Sequence, residues 1–167
     1  MNFAWLICAA YTALMLPNAD IACAHMDTIV KVSEQRAIDP VVLTALIYVE
    51  SRWISDVVSP SGACGLTQVL PRYSSGSQHR FGKKLTCREL KNPVLSIERG
   101  AHIFNYWLHT YARGNLRYAL CGYSKGFRCK EKTKFRKVGM RYAQRVLKIT
   151  RKLRRKMRHI YENETSE

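Results

Sequence analysis

Glu50 is the residue whose type and setting point most directly to chemistry. It closes the apolar stretch VVLTALIYVES, in which Val41 to Val49 carries no charge, and it is followed at once by Ser51. A carboxylate buried at the end of such a stretch is disfavoured as an anion, so its pKa rises and it keeps its proton near neutral pH. A carboxylic acid that holds its proton is what cleavage of a glycosidic bond needs to protonate the leaving oxygen. The competing reading is a helix-terminal carboxylate turned to solvent or paired with Arg52.

The surrounding segments bear on that choice. Val49-Glu50-Ser51-Arg52-Trp53 is followed by Val58-Ser59-Pro60-Ser61-Gly62-Ala63-Cys64-Gly65-Leu66-Thr67-Gln68-Val69-Leu70-Pro71. Asn92-Pro93 then precedes Ile97-Glu98-Arg99-Gly100-Ala101, and Ala119-Leu120-Cys121-Gly122-Tyr123-Ser124-Lys125-Gly126 comes last. In this order, from Thr44 to Gly126, the four segments resemble the soluble-type lytic transglycosylase (SLT) domain, which shares the goose-type lysozyme fold. The resemblance implies a mainly α, lysozyme-like single domain, here ending in a long basic C-terminal helix. It implies that Glu50 is the single catalytic acid and base. Ser51 would lie near the substrate's N-acetyl group, Gln68 would line the cleft, and Tyr123 would position Glu50 and substrate through its hydroxyl. Thr67 and Leu70 stand where the family usually has Met, and Gly122 and Ser124 stand where it commonly has Ala and Asn.

Hydrolases of glycosides usually need two carboxylates. Between Glu50 and Gly126 the others are Asp56, in a loop, Glu89, and Glu98, on a helix face opposite the apolar stripe. One acid fits the activity that the resemblance implies. Glu50 protonates the bond between N-acetylmuramic acid and N-acetylglucosamine, and the acetamido group stabilises the cationic centre. Glu50 then takes the proton of the muramic acid 6-hydroxyl, leaving a 1,6-anhydro end. The alternatives are a hydrolytic lysozyme of the same fold, with Asp56 as second carboxylate, and a non-catalytic wall-binding scaffold. No cofactor or metal is expected. His102 and His109 could share a helix face, but no HExxH occurs and no acidic residue completes a site.

These residues must be held by helices. Asp39-Pro40 reads as a cap and first turn, starting a helix through Ser51. Thr28 to Gln35 is a short amphipathic stretch, and Ser55 to Gly65 is a loop rich in Pro and Gly. Leu66 to Leu70 is expected to be a short helix, and Arg72 to Lys91 to be irregular. Asn92-Pro93 caps a helix to about Ala112, with Val94, Ile97, Ala101, Phe104, Trp107, Leu108 and Tyr111 on one face. Leu116 to Tyr123 is a further helix. The last runs from about Phe135 to Ile160, with Val138, Tyr142, Val146, Ile149, Leu153 and Met157 as its apolar stripe.

The chain has 167 residues, 47% of them hydrophobic, which suits one domain with a real core. Phe3 to Leu16 is apolar, too short to span a bilayer as a helix, and is followed by the small-x-small pattern Ala22-Cys23-Ala24. Residues 1–24 therefore read as a signal peptide, although no Lys or Arg precedes the run. The competing reading is a buried N-terminal helix. Export to the periplasm or cell envelope agrees with Cys64, Cys87, Cys121 and Cys129, an even set remaining after such cleavage. Of the three possible connectivities, Cys64–Cys87 and Cys121–Cys129 each close a short local loop carrying turn residues. A bridge closing about 20 residues stabilises a small domain by about 3 kcal/mol.

The formal net charge is +16. Residues 25–127, read as the catalytic domain, hold 13 basic and 7 acidic residues, while 128–167 hold 15 and 4. So basic a chain calls for an acidic partner. Beside peptidoglycan glycan strands, the C-terminal helix would suit anionic envelope polymers. Nucleic acid is disfavoured, because no aromatic interrupts Lys148 to Arg158 and export removes cytoplasmic nucleic acid from reach. Secretion, conjugation or phage machinery would be the setting.

Overall fold

A computed structural model describes residues 2–71, 84–130 and 134–166. Its elements are helical: α1 (Phe3–Ala13), α2 (Ala19–Ala24), α3 (Met26–Gln35), α4 (Pro40–Ser51), α5 (Cys87–Leu90), α6 (Pro93–Asn105), α7 (Leu116–Lys125) and α8 (Lys134–Glu164). α4 is the central helix. Asp39 caps it by accepting from the amides of Val41 at 2.7 Å and Val42 at 3.3 Å, and Pro40 fills the first turn, where no amide is needed. Val41 to Ile47 is buried throughout, so this helix has no solvent face until its last turn. That is why its sequence shows no amphipathic period.

α8 packs across α1, α4 and α7. Its buried residues are Gly139, Tyr142, Ala143, Val146, Thr150, Leu153 and Met157. The basic helix is thus part of the core, with its charges on the outer faces. Val138, expected on the buried stripe, is exposed, while Gly139 and Ala143 take the inner face. Small residues there let α8 approach its neighbours closely.

Three expectations change. Leu66 to Leu70 is a turn: Gln68 has φ 50°, its amide donates to the Gly65 carbonyl at 3.1 Å, and Cys64 and Val69 pair as an isolated bridge. A left-handed Gln68 stops a helix before it can propagate. Of the stretch expected to be irregular, residues 72–83 lie outside the described residues, but Cys87–Leu90 is helical. Thr86 and Glu89 form a reciprocal capping box there, a signal present in the sequence as Thr-Cys-Arg-Glu. The helix from Pro93 becomes π-helical over Tyr106–Tyr111. Leu108 and Tyr111, within that stretch, still pack against the core but are only partly buried.

Residues 3–24 form a folded layer. Ile7, Ala10 and Tyr11 of α1 are buried, and Cys8–Cys23 ties α1 to α2. Tyr11 sets its ring edge-on to Tyr48 and Trp53. Cys64–Cys87 and Cys121–Cys129 pair as expected. Because Cys8 and Cys23 pair with each other, the number of remaining cysteines is even with or without residues 1–24. Parity therefore does not decide whether that segment is cleaved.

Candidate active site

Glu50 sits in the last turn of α4, where the all-apolar helix reaches the surface. Its carboxyl Oε1 accepts a 2.6 Å hydrogen bond from the hydroxyl of Tyr142 on α8. The residue is only half-buried, yet protein atoms crowd the carboxyl closely enough that desolvation dominates its titration. Burial pushes its pKa from 4.5 up to about 7, against the Tyr142 hydrogen bond and the charges of Arg145 and Lys125, which all lower it. Among the described residues, the charged groups that act on Glu50, Arg145 and Lys125, are cations. The Tyr142 phenol is held well above its ordinary range by burial and by the nearby Glu50 charge. It therefore keeps its proton and remains a donor. The Arg145 guanidinium lies 5.8 Å from the centre of the Tyr142 ring.

Tyr142 was legible in the sequence only as a member of the apolar stripe. A tyrosine there is a core residue by default, and only its 92-residue separation closed by the fold brings its hydroxyl to Glu50. The Tyr123 hydroxyl goes elsewhere, donating to the Thr67 carbonyl at 2.8 Å, while its ring packs edge-on to Phe104. It ties α7 to the turn after Gly65. Glu50 still raises the Tyr123 pKa, after the larger effect of burial, so the two groups lie close enough to interact.

The Ser51 hydroxyl is buried at the helix end, donating to the Ile47 carbonyl at 3.3 Å and accepting from the Trp53 amide at 3.1 Å. It supports consecutive left-handed residues, Arg52 at φ 53° and Trp53 at φ 64°, that turn the chain sharply away from Glu50. The Asn18 side-chain amide donates to the Arg52 carbonyl at 2.7 Å. Gln68 is half-buried and braces the facing loop, its amide donating to the carbonyls of Val57 at 3.1 Å and Gly65 at 2.9 Å.

That loop is seated on α6. The Thr67 hydroxyl donates to the Ser96 carbonyl at 2.8 Å, and its amide donates to the Ser96 hydroxyl at 3.1 Å. A Cβ on Gly100 would stand 2.4 Å from Thr67, and one on Gly65, whose φ is 75°, would stand 1.9 Å from the Leu90 carbonyl oxygen. Thr67, where the resemblance expects Met, thus serves as a polar anchor and not as an apolar floor. Asp56 is exposed in the loop after Trp53, and Glu98 is exposed on α6.

Residues 27–144 match the family described as the transglycosylase SLT domain. This chain belongs to that family. The match takes in Glu50, Ser51, Gln68, Tyr123 and Tyr142, and leaves out α1, α2 and the outer turns of α8. The chain is 40% identical over 67 residues to an endo-type membrane-bound lytic murein transglycosylase A of Klebsiella pneumoniae, covering 38% of this chain and 33% of that protein. It therefore spans about a third of that relative's length. It also superposes on an inactive mutant of the lytic transglycosylase Slt from Pseudomonas aeruginosa, with a TM-score of 0.67 and 26% identity. That match covers 76% of this chain and 23% of the other. The 70 kDa soluble lytic transglycosylase of Escherichia coli gives a TM-score of 0.69 at 19% identity, over 78% of this chain and 24% of that one, and shares the fold.

Proposed function

We propose that the protein cleaves peptidoglycan as a lytic transglycosylase, with Glu50 as its one acid and base. The observation that carries this reading is the state of Glu50 in an SLT fold: a crowded carboxyl whose pKa stands at about 7, bonded to Tyr142 and acted on by the cations Arg145 and Lys125. At neutral pH a large fraction of such a group holds a proton to donate to the glycosidic oxygen between N-acetylmuramic acid and N-acetylglucosamine. Once that proton has left, the Tyr142 hydroxyl, Arg145 and Lys125 stabilise the carboxylate. The substrate's own acetamido group steadies the positive centre. The carboxylate then removes the proton from the muramic acid 6-hydroxyl, which closes on the anomeric carbon and restores Glu50 to its starting state. No water is consumed.

Product analysis tests this directly. Purified protein acting on isolated glycan strands should yield 1,6-anhydro ends by mass spectrometry. Reducing ends instead would identify a hydrolase, with Asp56 as the first residue to examine. No product at all would identify a wall-binding scaffold.

Export completes the proposal: Cys64–Cys87 and Cys121–Cys129, both outside residues 1–24, are cystines of a kind that form readily only in an oxidising compartment. No described helix is long and apolar enough to cross a membrane. Residues 1–24 would act as the export signal, with cleavage before His25 falling between α2 and α3. The outer end of α8 would dock on anionic envelope polymer. Lys152, Arg155, Arg158 and His159 are exposed there beside a single carboxylate, Glu162, and none of them belongs to the Glu50 site.

A further inference from the structure

The place where α8 crosses α7 is set by a contact that the catalytic groups do not themselves make. α8 meets the Cys121–Cys129 bridge at Gly139. A Cβ there would stand 2.5 Å from Cys121 Sγ, 3.1 Å from Cys129 Sγ and 3.2 Å from Lys125 Cγ. Carbon and sulfur in contact need well over 3 Å, and a bridged sulfur cannot swing aside as the end of a free side chain can. Only glycine therefore lets α8 sit at its present depth. Glycine inside a helix costs about 1 kcal/mol relative to alanine, so helix propensity does not account for it.

Three residues further along, on the same face of α8, is Tyr142. Its hydroxyl reaches Glu50 at 2.6 Å, a distance with little slack. Lys125, whose stem touches the same spot, is one of the two cations acting on Glu50. The bridge also anchors the chain just ahead of α8, since Cys129 closes the 3₁₀ turn Gly126–Cys129. In addition, Arg136 in the first turn of α8 donates to the Tyr118 hydroxyl on α7 at 2.5 Å. Among the described residues, the titratable groups that act on Glu50 are Tyr142 and Arg145 from α8 and Lys125 and Tyr123 from α7. All four ride on the two helices that this contact joins.

We propose that the Cys121–Cys129 bridge and Gly139, seated on it, are positioning elements for acid–base catalysis: they set the depth of α8 so that the Tyr142 hydroxyl meets Glu50. The step that depends on them rests on Glu50 being the acid. The geometric claim is separable from it and is tested without turnover.

The test uses the full-length oxidised protein and three variants: Gly139→Ala, Cys121→Ala with Cys129→Ala, and the three substitutions together. Titration of the Glu50 carboxyl is followed by carbon NMR, and fold is checked by near-ultraviolet circular dichroism. Relieving the clash moves α8 by about 1 Å, a misplacement that can cost up to about 100-fold in rate. In Gly139→Ala the Tyr142 bond and the Lys125 charge are drawn off the carboxyl. Both lower the Glu50 pKa, so its midpoint should rise. The alkaline limb of kcat/KM should follow it, kcat should fall by about 10- to 100-fold, and KM should stay unchanged because neither element touches substrate. In the bridge-less background the sulfurs are gone, so adding Gly139→Ala should have little further effect, a non-additivity expected of groups in contact. A folded Gly139→Ala protein with the unaltered Glu50 midpoint overturns the proposal, and so do additive effects in the triple variant. If Gly139→Ala does not fold, the bridge-less variant decides: its Glu50 midpoint must rise, and an unmoved midpoint refutes the positioning role. A raised midpoint in a protein that forms no anhydro product leaves the positioning intact and removes the transglycosylase reading.

Discussion

Replacing Glu50 by glutamine should stabilise the protein, and by an amount that depends on pH in one direction. The carboxyl titrates at about 7 in the folded chain against an ordinary value of 4.5. Between those values the folded chain holds a proton that the unfolded chain has lost, so stability falls as pH rises through the window. Below pH 4.5 the favourable contribution is fully present; above about pH 7 it is gone. At about 1.4 kcal/mol per tenfold change in proton affinity, the difference is about 3 kcal/mol, an upper limit because the half-buried residue keeps some contact with water. Glutamine has the same shape, still accepts from Tyr142, and never ionises. The Glu50→Gln protein should therefore gain up to about 3 kcal/mol on the native protein as pH rises from 4 to 8, or about 6–12 °C in Tm for a domain of this size. Urea denaturation of both proteins at several pH values, with cystines intact, measures this. Other titrating groups cancel in the difference. A gap that stays flat across pH would mean that the carboxyl is not desolvated, and the reasoning that makes it a proton donor at neutral pH would fail with it. Activity should be lost in the same variant.

Tyr142→Phe should move the alkaline limb of the pH–rate profile upward, because the hydroxyl stabilises the ionised carboxylate; a limb that shifts downward or not at all refutes its role. Gly122→Ala, although alanine is common there in the family, should cost about 1–3 kcal/mol in denaturant titration, since a Cβ would stand 2.4 Å from Trp107 Cε3. Charge reversal at the exposed Lys152 and Arg155 should weaken adsorption to isolated walls and flatten its salt dependence while leaving turnover of short glycans unchanged. Reversal is preferable to truncation, because Leu153 and Met157 are buried and shortening α8 would unravel the core. Arg154→Ala should change stability by no more than about 1 kcal/mol, since its ion pair with Asp39 is largely exposed.

What the sequence determined by itself is what short-range chemistry dictates. Asp39-Pro40 starts α4 because a carboxylate can cap amides two and three residues on. Glu50 is conspicuous because the residues before it leave a charge no cheap place to go. Cys64–Cys87 and Cys121–Cys129 were legible because each closes a local loop. The Thr86-to-Glu89 box is equally local, because both of its hydrogen bonds span three residues. Tertiary structure decided which groups meet. Tyr142 and Tyr123 are both tyrosines on amphipathic helices, and nothing within a few residues of either says which hydroxyl faces Glu50. That depends on how deep α8 sits on α7, hence on Gly139 against a cystine. Thr67 in a methionine's place makes sense only beside Ser96 and Gly100, and the π-helical stretch at Tyr106 has no local signature. A helix can be read from periodicity because its hydrogen bonds span four residues. The Glu50–Tyr142 bond spans 92, and only the packing of the whole chain brings its two ends together.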